Sequence, residues 1–326
     1  MHDAAAAQER TLRSRLGLFV QQQGALVLLV VVCLLATARY EAFLTPENLL
    51  NVLRQNSMLG IIAVGMTFVI LTGGIDLSVG SLLAVAGVVA AGLADRGLIV
   101  ATIAGILVTT ALGLVNGLVI AKARIQPFIV TLGMMIAARG IALAYTDQQN
   151  VRVSQSAADF SWLGQGLIAN LLPVPIVVMI VVYIIGWIVL NYTAFGRHVF
   201  ALGDNDEAAR LMGLNISRVT LLAYMISGML AGLAGVILAS RLNTGSPIEG
   251  VGRELDAIAA VVVGGTLLSG GKGSLISTLY GVLLLGVIFN IFNLEGQISP
   301  WWQLVLRGVI LLAVVILQNR LTRLRR

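Results

Sequence analysis

The sequence predicts an all-α, polytopic integral membrane protein with about ten transmembrane helices, some of them short or broken. Of its 326 residues, 58% are hydrophobic and 11% are charged, whereas charged residues make up about 25% of a soluble domain. The apolar residues fall into runs long enough to cross a bilayer, which takes about 20 residues per helix. This composition excludes a soluble globular fold.

The chain begins with a polar tail, residues 1–17, that is rich in arginine. The apolar run after it ends in Ala36-Thr37-Ala38, which resembles a signal-peptide cleavage site. An uncleaved first span is favoured, because a long segment precedes the apolar core and the later spans need an entry with this orientation. The single cysteine, Cys33, lies in this run, so an intrachain disulfide is excluded.

A transmembrane permease domain is predicted over residues 18–319, followed by a basic tail, residues 320–326. Its second, third and eighth spans are short or rich in glycine, so some of them are expected to be broken or re-entrant helices packed inside the protein. The spans are predicted near residues 18–38, 58–73, 78–94, 98–121, 127–145, 174–192, 218–240, 255–269, 274–292 and 300–318.

The distribution of Lys and Arg residues predicts the orientation. With a cytoplasmic N-terminus, ten crossings place about twice as many bases inside as outside, as the positive-inside rule requires. Both termini are therefore expected in the cytoplasm. The bases are scattered between apolar segments, so they suit an anionic lipid leaflet and not nucleic acid.

Residues 194–214 form a polar island between two long apolar runs. Asp204 and Glu207 have the spacing of a capping box, so we expect a short helix that starts at Asp204 and stops at Gly213. Two turns cannot cross a bilayer. A helix with small and apolar residues on one face and Arg210 on another suits a groove of a soluble partner. The alternative is an ordinary interfacial loop helix.

Four short motifs follow one another in this island: Phe-Gly-Arg, Ala-Leu-Gly, Glu-Ala-Ala-Arg and a closing Gly. This order resembles the cytoplasmic coupling loop of ABC importer permeases of the ribose and monosaccharide branch, and the resemblance extends from about Asn48 to the C-terminus. It implies that the short helix docks on the ATP-binding subunit and carries its motion into the membrane. The residues assigned to coupling are Gly196, Arg197, Gly203, Asp204, Asn205, Glu207, Ala208, Ala209, Arg210 and Gly213.

The resemblance also implies the assembly. The chain would be the permease subunit of a bacterial inner-membrane importer for a monosaccharide of the pentose or hexose type. A second copy or a close paralogue would complete the pathway, a cytoplasmic ABC ATPase would hydrolyse ATP, and a periplasmic sugar-binding protein would deliver the sugar. No cofactor is implied. The alternative is a stand-alone secondary carrier or facilitator for a small polar solute, which needs neither the ATPase nor the binding protein.

Two stretches on the predicted outer side are polar enough to meet a soluble partner. Residues 146–173 are rich in Gln, Ser and Asn and contain Trp162 as an interfacial aromatic residue. Residues 241–254 are rich in Gly and charge. With the resemblance, they predict a landing surface for the periplasmic binding protein; without it, two solvated connectors with no partner would be the default interpretation.

The sequence predicts no enzymatic site within the chain itself. Residues 264–274 superficially resemble a phosphate-binding loop, but Thr266 replaces its first glycine and Gly273 replaces its magnesium-binding Ser or Thr. His2 and His198 are not spaced with carboxylates as metal ligands or as a catalytic triad. ATP hydrolysis is therefore assigned to the partner subunit.

Four polar residues within or beside the spans are candidates for a gate or for the pathway: Asp76, Ser78, Asn116 and Asn290. A carboxylate among apolar spans costs free energy unless it faces water or pairs. For Asp76 we favour a cap on a helix that begins near Leu77, with Ser78 assisting; a gate element and a proton-coupling site are the alternatives. The two amides suit a hydroxyl-bearing solute, and hydrogen bonding between helices explains them equally well.

Overall fold

The computed structural model describes residues 24–154 and 157–296, together with several residues between 299 and 316. The predicted tails, residues 1–17 and 320–326, lie outside the described residues. Parts of the first and last predicted spans lie outside them as well.

The described chain is mostly helical, with four two-residue strands and a single 3₁₀ turn at Ala94–Arg96. The strands are β1 (Val151–Arg152), β2 (Leu167–Ile168), β3 (Leu172–Pro173) and β4 (Thr244–Gly245). The helices before the polar island are α1 (Gly24–Arg39), α2 (Pro46–Leu71), α3 (Val79–Gly92), α4 (Leu98–Ala123), α5 (Pro127–Tyr145), α6 (Ala158–Gln165) and α7 (Val174–Tyr192). The helices from the island onward are α8 (Ala194–Asp204), α9 (Asp206–Leu211), α10 (Ile216–Leu242), α11 (Arg253–Val263) and α12 (Leu275–Glu295).

Six helices of the described chain, namely α2, α4, α5, α7, α10 and α12, are long and apolar enough to cross a membrane. The predicted spans at 127–145 and 174–192 coincide with α5 and α7. The predicted third and eighth spans contain short helices, as expected, since α3 has 14 residues and α11 has 11. That either of them crosses the membrane stays a prediction. The count of ten crossings stays a prediction.

The expectation that the second span is short or broken is wrong. Helix α2 runs without interruption for 26 residues from Pro46. The side chain of Thr45 accepts a hydrogen bond from the N–H of Asn48. Pro46 is the first helical residue, where a backbone N–H would have no partner within the helix, so its missing N–H costs nothing. The first half of α2 contains polar residues, including Arg54, so it does not form an apolar run and was not predicted as part of the span.

Helix α10 lies at the centre of the bundle and packs against α2, α3 and α4. Its Gly228 meets Gly113 of α4, where an added β-carbon on Gly113 would lie 3.1 Å from the Gly228 Cα. Small residues allow such close backbone approach, which is how membrane helices gain packing contacts without a hydrophobic driving force. Helix α5 is peripheral by comparison, with 17% of its span buried against 67% for α10.

The two polar stretches of the predicted outer side come together at one end of the bundle. Strand β1 pairs antiparallel with β4, so Val151 opposes Gly245. Helix α6 is fastened to the end of α10, because the Ser240 hydroxyl donates to the Phe160 carbonyl and accepts from the Gly164 N–H at 2.7 Å. Residues 246–252, in contrast, leave this surface and run alongside α3.

Candidate functional site

The polar island folds as two consecutive helices, α8 and α9, where the sequence predicted only one. Thr193 caps α8 by accepting from the Gly196 N–H at 3.2 Å. Helix α8 continues to Asp204, and the chain turns at Asn205, whose φ of −160° and ψ of 109° are extended. The break between the helices therefore falls one residue later than the predicted helix start.

The predicted capping box of Asp204 and Glu207 is wrong. The cap of α9 is Asn205, whose Oδ1 accepts a hydrogen bond from the Ala208 N–H at 2.9 Å. Because Asp204 is still helical, its side chain cannot take the N-cap position, which needs an extended backbone.

The predicted stop at Gly213 is confirmed. Its φ of +80° is left-handed, and its N–H donates to the Arg210 carbonyl at 3.0 Å. The Leu214 N–H donates to the Ala209 carbonyl at 3.1 Å. This bond pair is a Schellman motif, which ends a helix sharply and favours glycine at the left-handed position.

Helix α9 lies on the surface and is almost entirely exposed. Ala209 is its only buried residue, whereas Leu211 is 84% exposed and Met212, just after the helix, is 69% exposed. A cavity of about 390 Å³, lined by Thr72 and Ser269 among others, opens beside the start of α9. Among the predicted coupling residues, the structure exposes Arg197, Asp204, Asn205, Glu207, Ala208, Arg210 and Gly213 and buries Gly196 and Ala209.

Three backbone segments meet without intervening side chains beneath the junction of α8 and α9. The backbone of Gly203 contacts the carbonyl oxygen of Leu71, at the end of α2, so closely that no β-carbon fits. The Gly271 N–H donates to the same carbonyl at 3.0 Å. Gly271 belongs to the loop between α11 and α12, so the island is in direct contact with α2 and with that loop.

Asp76 lies in a buried polar network at the start of α3. Its Oδ1 accepts from the Ser78 N–H at 2.9 Å and from the Ser78 hydroxyl at 2.6 Å, and its Oδ2 accepts from the Ser227 hydroxyl of α10 at 2.7 Å. Asn116 of α4 donates to the Ser78 hydroxyl at 3.0 Å. Asp76, Ser78 and Asn116 are all 0% exposed. The network therefore joins three helices.

The cap predicted for Asp76 needs correction. Helix α3 begins at Val79 and its N-cap position is Ser78, so Asp76 lies two residues outside the cap. Its carboxylate instead accepts hydrogen bonds from the N–H and the hydroxyl of the N-cap residue, Ser78. A role in the pathway stays a prediction.

The two predicted pathway amides are not in one place. Asn290 of α12 exchanges hydrogen bonds with Asn48 of α2, at 3.1 and 2.7 Å. Asn116 belongs to the Asp76 network, and its Oδ1 is buried without a hydrogen-bond partner. Asn290 thus joins two helices, as the alternative interpretation of the amides expected.

Sequence reasoning missed two residues that matter to these sites. Ser227 binds Asp76 from α10, and a serine in an apolar helix gives no signal of a distant acid. Arg139 lies inside α5 and donates to the carbonyls of Pro247 and Glu249 at 2.5 and 2.8 Å. Its signal was available, because a cation within a span is costly and needs a partner.

Comparison with known proteins supplies the family. Residues 48–315 match the family described as branched-chain amino acid transport system / permease component. The chain belongs to this permease family. No solved structure matches this permease.

Several curated relatives of this permease match over nearly their full lengths. The ribose import permease protein of Escherichia coli (strain K12) is 42% identical over 92% of this chain and 94% of its own. That of Bacillus subtilis (strain 168) is 43% identical over the same shares. The D-allose transport system permease protein of Escherichia coli (strain K12) is 36% identical over 91% of both chains. The permease family and these relatives confirm the resemblance that the polar island predicted.

Proposed function

We propose that this chain is the membrane-spanning permease subunit of an ATP-driven importer for a monosaccharide of the pentose or hexose type. The observation that carries the proposal is the full-length similarity to permeases named for ribose and D-allose import. The apolar helices form the membrane domain of a bacterial inner-membrane protein, and hydrolysis of ATP belongs to a separate subunit.

Helix α9 is the element that meets the ATPase. It is capped at both ends, it touches its own chain through Ala209, and it presents Leu211 and Met212 to the outside. A short rigid helix with apolar residues at its tip fits a groove on a soluble partner. A stand-alone carrier has no use for such an element.

The junction at Gly203 transmits the force. A displacement of α8 and α9 reaches the carbonyl of Leu71 and the backbone of Gly271 through direct contact. These positions lead into α2 and into the loop between α11 and α12, so closure of the ATPase would move membrane helices from their cytoplasmic ends. A second permease copy or a close paralogue forms the other half of the pathway.

The outer end carries the docking surface for the sugar-binding protein. The β1–β4 pair and the contacts of α6 hold the described part of residues 146–173 against the end of α10. A concavity of about 470 Å³ beside the strand pair is lined by Gln149, Asn150, Arg152 and Asn243, among others. Hydrogen-bonding side chains of this kind suit the polar rim of a transient protein interface.

Reconstitution tests the proposal. Proteoliposomes containing the permease and its ATPase, supplied with the binding protein and radiolabelled ribose, D-allose or L-arabinose, should accumulate at least one sugar only when ATP reaches the ATPase. A matched preparation with a hydrolysis-deficient ATPase should not. Uptake that depends on a proton gradient and does not depend on ATP would instead show that the protein is a secondary carrier.

A further inference from the structure

Residues 246–252, which join β4 to α11, form a non-helical segment that lies along α3. The backbone of Gly245, just before the segment, meets the carbonyl of Gly87, and the backbone of Gly250 meets the carbonyl of Gly80. Seven residues of an α-helix span about 10 Å. The segment therefore runs antiparallel to α3 for about two turns.

Arg139 shows how deep this segment reaches. It lies six residues before Tyr145, the end of α5, which is about 9 Å along the helix axis. Its guanidinium Nη1 donates to the carbonyls of Pro247 at 2.5 Å and Glu249 at 2.8 Å. Since α5 is one of the candidate spans, the segment enters the depth of the membrane beside it.

Two tight turns shape the segment and place apolar residues at their tips. The Glu249 N–H donates to the Ser246 carbonyl at 3.2 Å, and the Arg253 N–H donates to the Gly250 carbonyl at 3.1 Å. Ile248 and Val251 occupy central positions of these turns and are 65% and 75% exposed.

The exposed side of this segment cannot face lipid. Non-helical backbone at membrane depth is tolerated only where protein buries it or where it lines a water-filled space, because hydrocarbon offers no hydrogen-bond partners. This chain itself does not bury that side, since Ile248 and Val251 are exposed, and in a permease the water-filled space at this depth is the route of the solute. We propose that residues 246–252 line the transport pathway, that Ile248 and Val251 form an apolar constriction in it, and that Arg139 positions this segment.

This assignment is distinct from the polar residues predicted for the pathway. Asp76, Ser78 and Asn116 are fully buried among α3, α4 and α10. An apolar constriction closes a pore to water and ions, because dewetting makes the narrow region costly to cross. It opens to a hydroxyl-bearing solute only when the segment moves.

Glycine is required where the segment meets α3. A β-carbon at Gly80 would meet both the Glu254 carboxylate and the Gly250 carbonyl. The Glu254 carboxylate also accepts from the Gly252 N–H at 3.2 Å. Gly250 and Gly252 adopt φ values of +80° and +82°, which other residues rarely reach. The segment is therefore held at both of its turns, by Arg139 at the first and by Glu254 at the second.

Water accessibility tests the assignment. In a Cys33→Ser background, Val251→Cys is compared with Ile184→Cys, which is 52% exposed on α7 and serves as a lipid-facing control. The probe is a charged, membrane-impermeant methanethiosulfonate, which reacts with the thiolate and so needs water at the site. Each variant is studied with the ATPase and binding protein, at rest and trapped with ATP and vanadate.

We expect Val251→Cys to react at least tenfold faster than Ile184→Cys in one state, to change its rate at least fivefold between states, and to lose uptake once modified. The reaction of Val251→Cys in the resting state does not depend on docking of the ATPase at α9. A failure of this assignment can therefore be distinguished from a failure of the proposed function. The assignment is overturned if Val251→Cys is unreactive in every state, or if it reacts at one rate in all states without affecting uptake.

Substitution of Arg139 tests its positioning role. Arg139→Gln removes the charge and should make the reactivity of Val251→Cys the same in both states. Arg139→Lys keeps a cation that can reach one carbonyl, so it should restore part of the difference in Val251→Cys reaction rate between the two states. If Arg139→Gln inserts normally and leaves the two rates of Val251→Cys as they were, Arg139 does not position this segment.

Discussion

Gly203 lies against the carbonyl oxygen of Leu71, with no room for a β-carbon between them. The same oxygen accepts a hydrogen bond from the Gly271 N–H at 3.0 Å. One carbonyl at the end of α2 therefore contacts both the island that carries α9 and the loop before α12. Contacts between backbones leave no flexible side chain to absorb a displacement, which is why we propose this junction as the route from α9 into the membrane helices.

Gly203→Ala should uncouple the ATPase from transport. The added methyl group must displace Leu71 or Gly271, at a cost of about 1–3 kcal/mol, as for other overpacked sites. We expect normal binding of the ATPase, because α9 is unchanged, and at least tenfold lower uptake with little stimulation of ATP hydrolysis by the loaded binding protein. The matched control is Gly133→Ala, where a β-carbon meets nothing within 4 Å. Equal uptake by the two variants would contradict transmission through Gly203.

Asp76 should tolerate asparagine and not leucine. In Asp76→Asn, the amide oxygen can still accept both bonds from Ser78, and the Ser227 hydroxyl can rotate to accept from the amide N–H. Leucine accepts none and leaves buried donors unpaired, at about 1–3 kcal/mol each. We expect Asp76→Asn to keep most of the uptake and Asp76→Leu to lower the amount of folded protein. Complete loss of uptake by a normally expressed Asp76→Asn variant would show that the charge itself is needed.

The elements that the sequence predicted best are bounded by strong local signals. Helices α5 and α7 were located from their apolar runs, and the structure shows why the bounds agree: a proline lies at the start of each helix and polar residues follow its end. The exact end of a helix and the contacts between distant residues could not be predicted. The cap at Asn205 depends on α8 continuing through Asp204, and the Asp76 network depends on Ser227, 151 residues away. Residues 246–252 contain turn-forming residues that suit an external loop equally well, and their depth follows only from contacts with α3 and Arg139.

Asn205→Ala should weaken α9 while leaving its docking face unchanged. Loss of an N-cap costs about 1 kcal/mol, whereas Asn205→Asp keeps an oxygen that can accept from the Ala208 N–H. We expect Asn205→Ala to lower the affinity for the ATPase severalfold and Asn205→Asp to bind like the parent protein, both measured by titration of the purified subunits. Equal weakening by both variants would mean that the amide contacts the partner and does not act as a cap.

Both termini should lie in the cytoplasm. The basic residues at the C-terminal end, Arg320 to Arg326, resist translocation. A reporter that is active only in the periplasm, fused after Leu324, should give no activity, and the same reporter inserted after Asn150 should be active. With the N-terminus in the cytoplasm, strong activity of the fusion after Leu324 would require an odd number of crossings.

Docking of α9 on an ATPase can be measured by co-purification together with uptake. Ala208 is exposed, so Ala208→Trp does not disturb the packing of this chain, whereas the bulky side chain obstructs a groove on a partner. Ile184→Trp, on an exposed position of α7, is the control. We predict that Ala208→Trp inserts normally, loses at least 90% of the co-purifying ATPase and abolishes ATP-dependent uptake, while Ile184→Trp retains both. Intact ATPase binding and uptake in Ala208→Trp would show that α9 is a connector and does not dock on the ATPase.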